Sequence, residues 1–480
     1  MRISVPVNHN YYEELPIIGE SSLCSQFSVK DNRRNKEQLR QFFSSVYELK
    51  LGAKQLKQVK VFNFKRNRFF EQDEERLILK LYSKEKADQE KEYIIQTGLY
   101  AGVLFHKGCK INITTKYGDT FLKRMLNFVN DIYVDNEQIK AKKDETENQF
   151  LFIIAHLFIQ SLEKAVVLGL PQHYQKHQER SHKVRGKIDF NEYLKRDIPF
   201  QGKLTTTFRE RIYVQEIVDV LYLSLRRLES VFGKEIHSRL LGLNQLLKQQ
   251  YSGRFTSYQT IQNAKNHQTI NNPMYNGFKK VLEYAEIILL NKDLMPDNEN
   301  QNLATTGYLF DIAELYELYL EKLLSRNFPE WFVNGQREIP IYQTQFYRRS
   351  MFPDLILKHK TSGKIMALDA KFKKMEMQNK DVDRTDLHQI HSYSGYYQNN
   401  LIASGLIYPL SKKTNIDNAH SESLYGNHNN DVQFIIDGVV VSENQTMVEL
   451  IESENEFVKR ISNLTIKQEK KQRTANNGYT

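Results

Sequence analysis

The sequence predicts a multidomain protein of α+β and α/β class. An N-terminal β-rich domain comes first, then a mostly helical middle domain, then a C-terminal mixed sheet flanked by helices. Three observations predict this. Short apolar runs of strand length crowd residues 59–114, long helical patterns dominate residues 150–291, and a strand–turn–strand signal lies between Phe352 and Phe372. A chain of 480 residues has room for two to four domains of about 100–200 residues each. The boundaries fall at 1–145, 146–304 and 305–450, with a charged tail over 451–480.

Composition narrows the class. Apolar residues make up 40% of the chain, enough for real cores, and the net charge of +10 favours a polyanionic partner. Cys24 and Cys109 stand far apart and in no metal-ligand spacing, which fits a reducing compartment. The start, MRISVPVNHN, has no apolar leader core, and no run of 18 apolar residues occurs. The expectation is a cytoplasmic protein with no membrane partner.

In order along the chain, Val59–Phe64, Arg76–Tyr82, Tyr93–Ile95, Gly102–Phe105 and Ile111–Thr114 read as strands, and Gln38–Leu49 and Thr120–Asp131 as helices. Basic and aromatic residues interleave in Val59–Phe70. That pattern suits a nucleic-acid surface, though a strand with a basic wet face is the commoner cause. The charged stretch 135–148 reads as a linker. Phe150–Leu168 reads as a buried helix, Leu204–Phe208 as a strand, and Val214–Phe232, Ile236–Gln250 and Gly277–Asn291 as helices, before a polar connector at 292–304. A helix over Tyr308–Leu324 has an apolar stripe at Leu309, Ile312, Tyr316, Leu320 and Leu323. Strands follow at Arg337–Tyr342 and Gln345–Arg349, then a hairpin, then a helix at Arg384–Gln398. Further strands at Leu401–Tyr408 and Val432–Val441 bracket a polar, mobile tract at Ser411–Asn430, and from Glu452 the chain is charged, ending in a disordered tail, KQEKKQRTANNGYT, over 467–480.

The hairpin carries the chemistry. Leu355–Leu357 and Ile365–Leu368 are apolar runs separated by a polar break containing Thr361-Ser362-Gly363. A turn centred between Thr361 and Ser362 sets Asp354 opposite Asp369 on one sheet face, and Lys371, two residues on, projects from that same face. A slip of one residue would separate them. Paired carboxylates are hard ligands for Mg2+, or Mn2+, which polarises a phosphodiester and acidifies a bound water. A lysine beside them can orient that water or steady developing negative charge.

Pro353-Asp354 followed by Asp369-Ala370-Lys371 resembles the PD-(D/E)xK nuclease signature, and Gln389 with Tyr393 resembles the Q-x-x-x-Y element of its RecB-like members. The resemblance implies a restriction-endonuclease-like core, with Asp354, Asp369 and Lys371 as the catalytic trio. Gln389 and Tyr393, four apart on one helical face, would support the substrate strand. Arg349, beside Arg348, either grips the scissile backbone or is an ordinary surface arginine. His388 and His391, with His420 and His428 downstream, could supply zinc ligands. Helix histidines near DNA more often stay solvated or meet phosphate.

A wider resemblance surrounds this core. Ala101–Leu126, Val184–Phe190, Asn272–Leu290 and Leu309–Leu324 precede the hairpin in an order similar to McrC, the nuclease subunit of McrBC-type modification-dependent restriction systems. Thr114-Thr115-Lys116 stands where that family usually shows Pro-Lys. The resemblance makes Glu317 an extra acidic metal contributor. It also implies an McrB-like AAA+ GTPase hexamer as partner, stimulated by the N-terminal region, and duplex DNA carrying modified bases as substrate. The sequence has no G-x-x-x-x-G-K-[ST], so a nucleotide-driven motor would come from that partner. Two alternatives stay open: a self-sufficient RecB-like repair nuclease, and a non-catalytic regulator of a AAA+ ring.

Overall fold

Alternation decides the first sheet. In Arg2–Pro6, Ile3 and Val5 are buried while Arg2 and Ser4 are exposed, the period of a strand with one wet face. In the computed structural model this strand pairs in parallel with Cys109–Thr114, which forms a hairpin with Tyr100–His106. The structure describes residues 1–9, 17–53, 59–62, 75–85, 91–129, 145–233, 240–290, 305–335, 338–343, 348–373, 375, 382–397, 400–411, 420–424 and 432–476. The predicted basic-aromatic run beyond Phe62, most of the 135–148 linker, the 292–304 connector and His428 lie outside them.

Thr306–Asp311 completes that sheet, antiparallel to Tyr100–His106 and parallel to Val59–Phe62. The apolar stripe predicts a helix from Tyr308. The structure instead makes Tyr308, Leu309 and Phe310 a buried strand and starts the helix at Ile312, running to Asn327. Two local causes are visible. Gly307, at φ +149°, lies so close to its neighbour that a Cβ would stand 2.1 Å from the Val103 carbonyl oxygen. Asp311 then caps the helix, its Oδ1 accepting from the Glu314 amide at 3.1 Å.

A second antiparallel sheet orders Ile17–Gly19, Lys91–Thr97, Leu77–Glu85 and Tyr47–Lys50. The helix predicted over Gln38–Leu49 lies earlier, at Arg33–Phe42. Asn32 caps it by accepting from the Asn35 amide at 2.8 Å, and Tyr47–Lys50 becomes a strand.

The third sheet has six strands in the order Trp331–Gly335, Leu355–His359, Ile365–Ala370, Leu401–Ser411, Gln433–Val441 and His420–Ser423. The middle three run parallel, and every residue of Ile365–Ala370 is buried, as a sheet covered on both faces requires. The Arg384–Tyr397 helix crosses between two parallel strands and buries Ile390 and Tyr393 against Ala367, Leu406 and Tyr408. His420–Ser423 is a strand inside the tract predicted to be mobile, while 412–419 and 425–431 lie outside the described residues.

The charged segment from Glu452 is part of a helix, Met447–Asn476, which runs into the 467–480 tail expected to be disordered; 477–480 lie outside the described residues. Leu450, Phe457, Ile461 and Leu464 form its buried stripe. Two of its charges are paired inside the fold. Glu454 accepts from Arg124 Nη2 at 2.7 Å and Tyr319 Oη at 2.9 Å, and Arg460 Nε donates to Asp437 Oδ1 at 3.0 Å.

Residues 1–137 and 298–480 form one compact unit and 138–297 another. The sequence reading divided the chain at 145 and 304 and set the N-terminal segment apart from the hairpin region. Thr306–Asp311, from the 305–450 segment, is a strand of the sheet that holds Arg2–Pro6 and Tyr100–His106, while the hairpin lies in the six-stranded sheet. The 138–297 unit holds helices Glu145–Val166, Gln215–Phe232, Leu241–Gln250, Tyr258–Asn266 and Phe278–Leu290. It also has a three-stranded antiparallel sheet of Lys187–Ile188, Leu204–Tyr213 and Gln172–Ser181. Gln172–Ser181 was missed because QHYQKHQERS has no apolar periodicity and few of its residues are covered. Among the described residues no helix is long and apolar enough to cross a membrane.

Candidate active site

The geometry follows from one turn. Leu355 faces Leu368, Ile356 faces Ala367, Leu357 faces Met366 and Lys358 faces Ile365. The His359 amide closes the turn by donating to the Lys364 carbonyl at 2.8 Å, and Gly363 takes the left-handed conformation, φ +67°, that the turn needs. This is the register expected of a turn centred between Thr361 and Ser362. Continued one step outward, it sets Asp354 opposite Asp369.

Asp369 is fully buried and held on one side by the Arg384–Tyr397 helix. Its Oδ1 accepts from Gln389 Nε2 at 3.0 Å and from Tyr393 Oη at 3.2 Å, and Gln389 Nε2 also donates to Tyr393 Oη at 2.6 Å. Gln389 and Tyr393 reach one oxygen together because four residues make about one helical turn. Its Oδ2 faces Lys371, whose Nζ lies 2.6 Å away in an ion pair that lacks the alignment of a hydrogen bond. Lys371 Nζ also donates to Gln389 Oε1 at 3.3 Å and lies 3.6 Å from Asp386 Oδ1.

Asp354 is half-buried, and its Oδ2 accepts from the Ala370 amide at 3.0 Å. Burial pushes its carboxyl well above the usual carboxylate range, and the charges of Asp369 and Glu317 push it further, against the pull of Lys371 and the Ala370 amide. Glu317, on the Ile312–Asn327 helix, therefore acts on Asp354 through its field. One turn on, Glu321 approaches the same strand end, where a Cβ on Gly335 would stand 2.4 Å from its Oε2 and 3.4 Å from the Asp354 carbonyl oxygen. Burial alone would lower Lys371, but Asp369 and Asp354 outweigh it and hold the ammonium above the ordinary lysine value. Burial, with Asp369 and Asp354, raises the Tyr393 phenol, so it stays a donor.

The structure thus brings Asp354, Asp369, Lys371, Gln389 and Tyr393 together, with Glu317 at their edge. Arg349 lies in the Arg348–Met351 strand, paired with Tyr342; its side chain is outside what the structure describes. His388 is exposed and His391 half-buried on the helix that carries Gln389. Among the described residues no three His, Cys, Asp or Glu side chains are gathered to hold one ion. That leaves the His388/His391 pair without a zinc cage there, and Glu317 outside a ready three-carboxylate shell. The sequence reading missed Asp386, which is buried, ion-paired to Lys373 and close to Lys371. Its signal was its place three residues before Gln389, on the same helical face.

A family described as McrBC 5-methylcytosine restriction system component matches residues 95–409. No curated protein matches the chain. Solved structures resemble it as well, two of them as follows. One is a refined half-complex from a tetradecameric assembly of Thermococcus gammatolerans McrB AAA+ hexamers with bound McrC. There the identity is 14%, 97% of this chain and 100% of that chain are covered, and the TM-score is 0.48. The other is the cryo-EM structure of the Thermococcus gammatolerans McrBC complex, at 15% identity over 68% of this chain and 88% of that one, with a TM-score of 0.31.

Proposed function

This chain belongs to the McrBC 5-methylcytosine restriction system component family, and we propose that it is the subunit that cuts DNA. The observation that carries the reading is that Asp354 and Asp369, each one step beyond the paired Leu355 and Leu368, are close enough for Asp369's charge to act on Asp354, with Lys371 ion-paired to Asp369. Two acids and a lysine so placed are what a PD-(D/E)xK nuclease centre would use.

The residues fit a divalent ion. Asp369 Oδ2 is buried and has no aligned hydrogen-bond donor, and Asp354 is crowded by like charge that a cation would relieve. Mg2+ asks for one or two carboxylates and fills its octahedron with water and phosphate oxygens. Asp354 and Asp369 would hold it, with Glu317 adding field; Mn2+ would serve in the same place. The bound ion would supply Lewis acidity toward a phosphodiester and a more acidic water.

The chain's own residues do the rest. Gln389 and Tyr393 fix Asp369 Oδ1, so its other oxygen keeps a constant direction. Lys371 presents three donors at the mouth of the carboxylate pair, where it orients the attacking water and steadies charge on the scissile phosphate. Arg349, at the Arg348–Met351 strand, grips the backbone of the bound strand. The substrate is duplex DNA with modified bases, consistent with the family's 5-methylcytosine and the chain's net charge of +10. The partner is an McrB-like AAA+ GTPase hexamer, as in the complexes that the chain resembles, and this chain stimulates its hydrolysis.

The test is cleavage of a methylated duplex by the full chain plus its GTPase partner, with Mg2+, with Mn2+ and with chelator. Cutting that needs the divalent ion and disappears in Asp369→Ala supports the reading. Full cutting in chelator overturns it.

A further inference from the structure

Lys371 stands where a metal-holding carboxylate needs to be free. Its ammonium is 2.6 Å from Asp369 Oδ2, the oxygen that Gln389 and Tyr393 leave open. A divalent cation between Asp354 and Asp369 and an ammonium at that oxygen repel each other at short range. The ammonium therefore needs another carboxylate within reach, and one is built in. Asp386, buried in the first turn of the Arg384–Tyr397 helix, has its Oδ1 3.6 Å from the same Nζ. A shift of about 1 Å makes that contact a direct hydrogen bond. Its other oxygen, Oδ2, is already held by Lys373 Nζ, so the carboxylate stays aimed at Lys371. The helix N-terminus further favours negative charge there.

On the nuclease reading above, we infer that Asp386 is a positioning residue that receives Lys371 when a divalent cation enters between Asp354 and Asp369. Before entry Lys371 neutralises Asp369; after entry it sits between Asp386 and Gln389. There it remains beside the carboxylate pair and points its protons toward water and phosphate. No proton changes hands; one ion pair is exchanged for another. Lys373 keeps Asp386 in place throughout.

The experiment is calorimetric titration of the full chain with Mg2+ alone, without DNA. Asp386→Asn should weaken Mg2+ binding about tenfold, because Lys371 then has no second carboxylate and stays on Asp369. Lys371→Met should bind Mg2+ at least as tightly as the natural chain. In the Lys371→Met background, adding Asp386→Asn should change the affinity by less than about twofold, since nothing is left to displace. Asp386→Glu should restore most of the binding, which also controls for folding. A merely structural Asp386 would weaken binding equally in both backgrounds, and that result overturns the inference. Asp386→Asn binding as the natural chain does overturns it too, while leaving the nuclease reading intact. A natural chain that binds no Mg2+ at millimolar concentration overturns both.

Discussion

Two buried clusters of charge in this chain are built on opposite plans. At Glu454, Arg124 donates through Nε and Nη2, Tyr319 adds its hydroxyl, and both charged side chains are 3% exposed. Every charge there has met its complement. At Asp354 and Asp369, two carboxylates face each other with a third acid near. The Lys371 ammonium is shared among Asp369, Gln389 and Asp386, and one buried carboxylate oxygen has no aligned donor. The first cluster ties three helices of one unit together. The second holds charge that folding alone leaves poorly compensated, which is how ionisable groups at reaction centres are commonly arranged.

The difference can be broken from either side. The largest effect is expected on the structural side. Glu454→Ala leaves Arg124 buried without its carboxylate and should cost about 3–5 kcal/mol, read as a lower denaturation midpoint at unchanged slope. Lys371→Ala should act on cutting instead, lowering the cleavage rate with partner present about a hundredfold to a thousandfold. GTPase stimulation should survive in that variant. If cutting and stimulation fell together, the lysine would belong to the scaffold.

The third effect is a pH dependence with a definite sign. The folded chain holds the Asp354 carboxyl above its ordinary value of 3.8. Between that value and the raised one, the folded state keeps a proton that the unfolded chain has lost. Metal-free stability should therefore fall as pH rises through this window. Asp354→Asn should flatten the slope in unfolding measurements run at a series of pH values. The smallest effect belongs to Tyr393→Phe. It removes one of two donors to Asp369 Oδ1 and costs about 1 kcal/mol, under tenfold in rate. A loss as large as that of Lys371→Ala would mean that Tyr393 does more than support Asp369.

What the sequence disclosed follows the range of the interactions involved. The hairpin register was legible because Thr361-Ser362-Gly363 and its flanking apolar runs settle it locally. That Gln389 and Tyr393 share a helical face was legible from their spacing of four; that the face is turned to Asp369 Oδ1 was not, since it depends on how the helix packs on the sheet. Thr306–Asp311 was not: its apolar residues run into the stripe of the helix after it, and its strand partners lie some two hundred residues upstream. The Met447–Asn476 helix was hidden for a related reason. Its charges looked solvated because Arg124 and Asp437, which pair with them, are distant in sequence. Asp386 escaped notice because an acid in a helix's first turn is ordinary until the lysines beside it are located in space.

The claim that Asp354 and Asp369 form a reaction centre and not a structural pair is tested most directly by Asp354→Asn. Unfolding free energy without metal and cleavage with the GTPase partner and Mg2+ are measured on the same preparation. The asparagine keeps an oxygen for the Ala370 amide and removes one of the crowded charges. The expected result is stability equal to or above that of the natural chain and cleavage lower by orders of magnitude. Cleavage at the natural rate would contradict it.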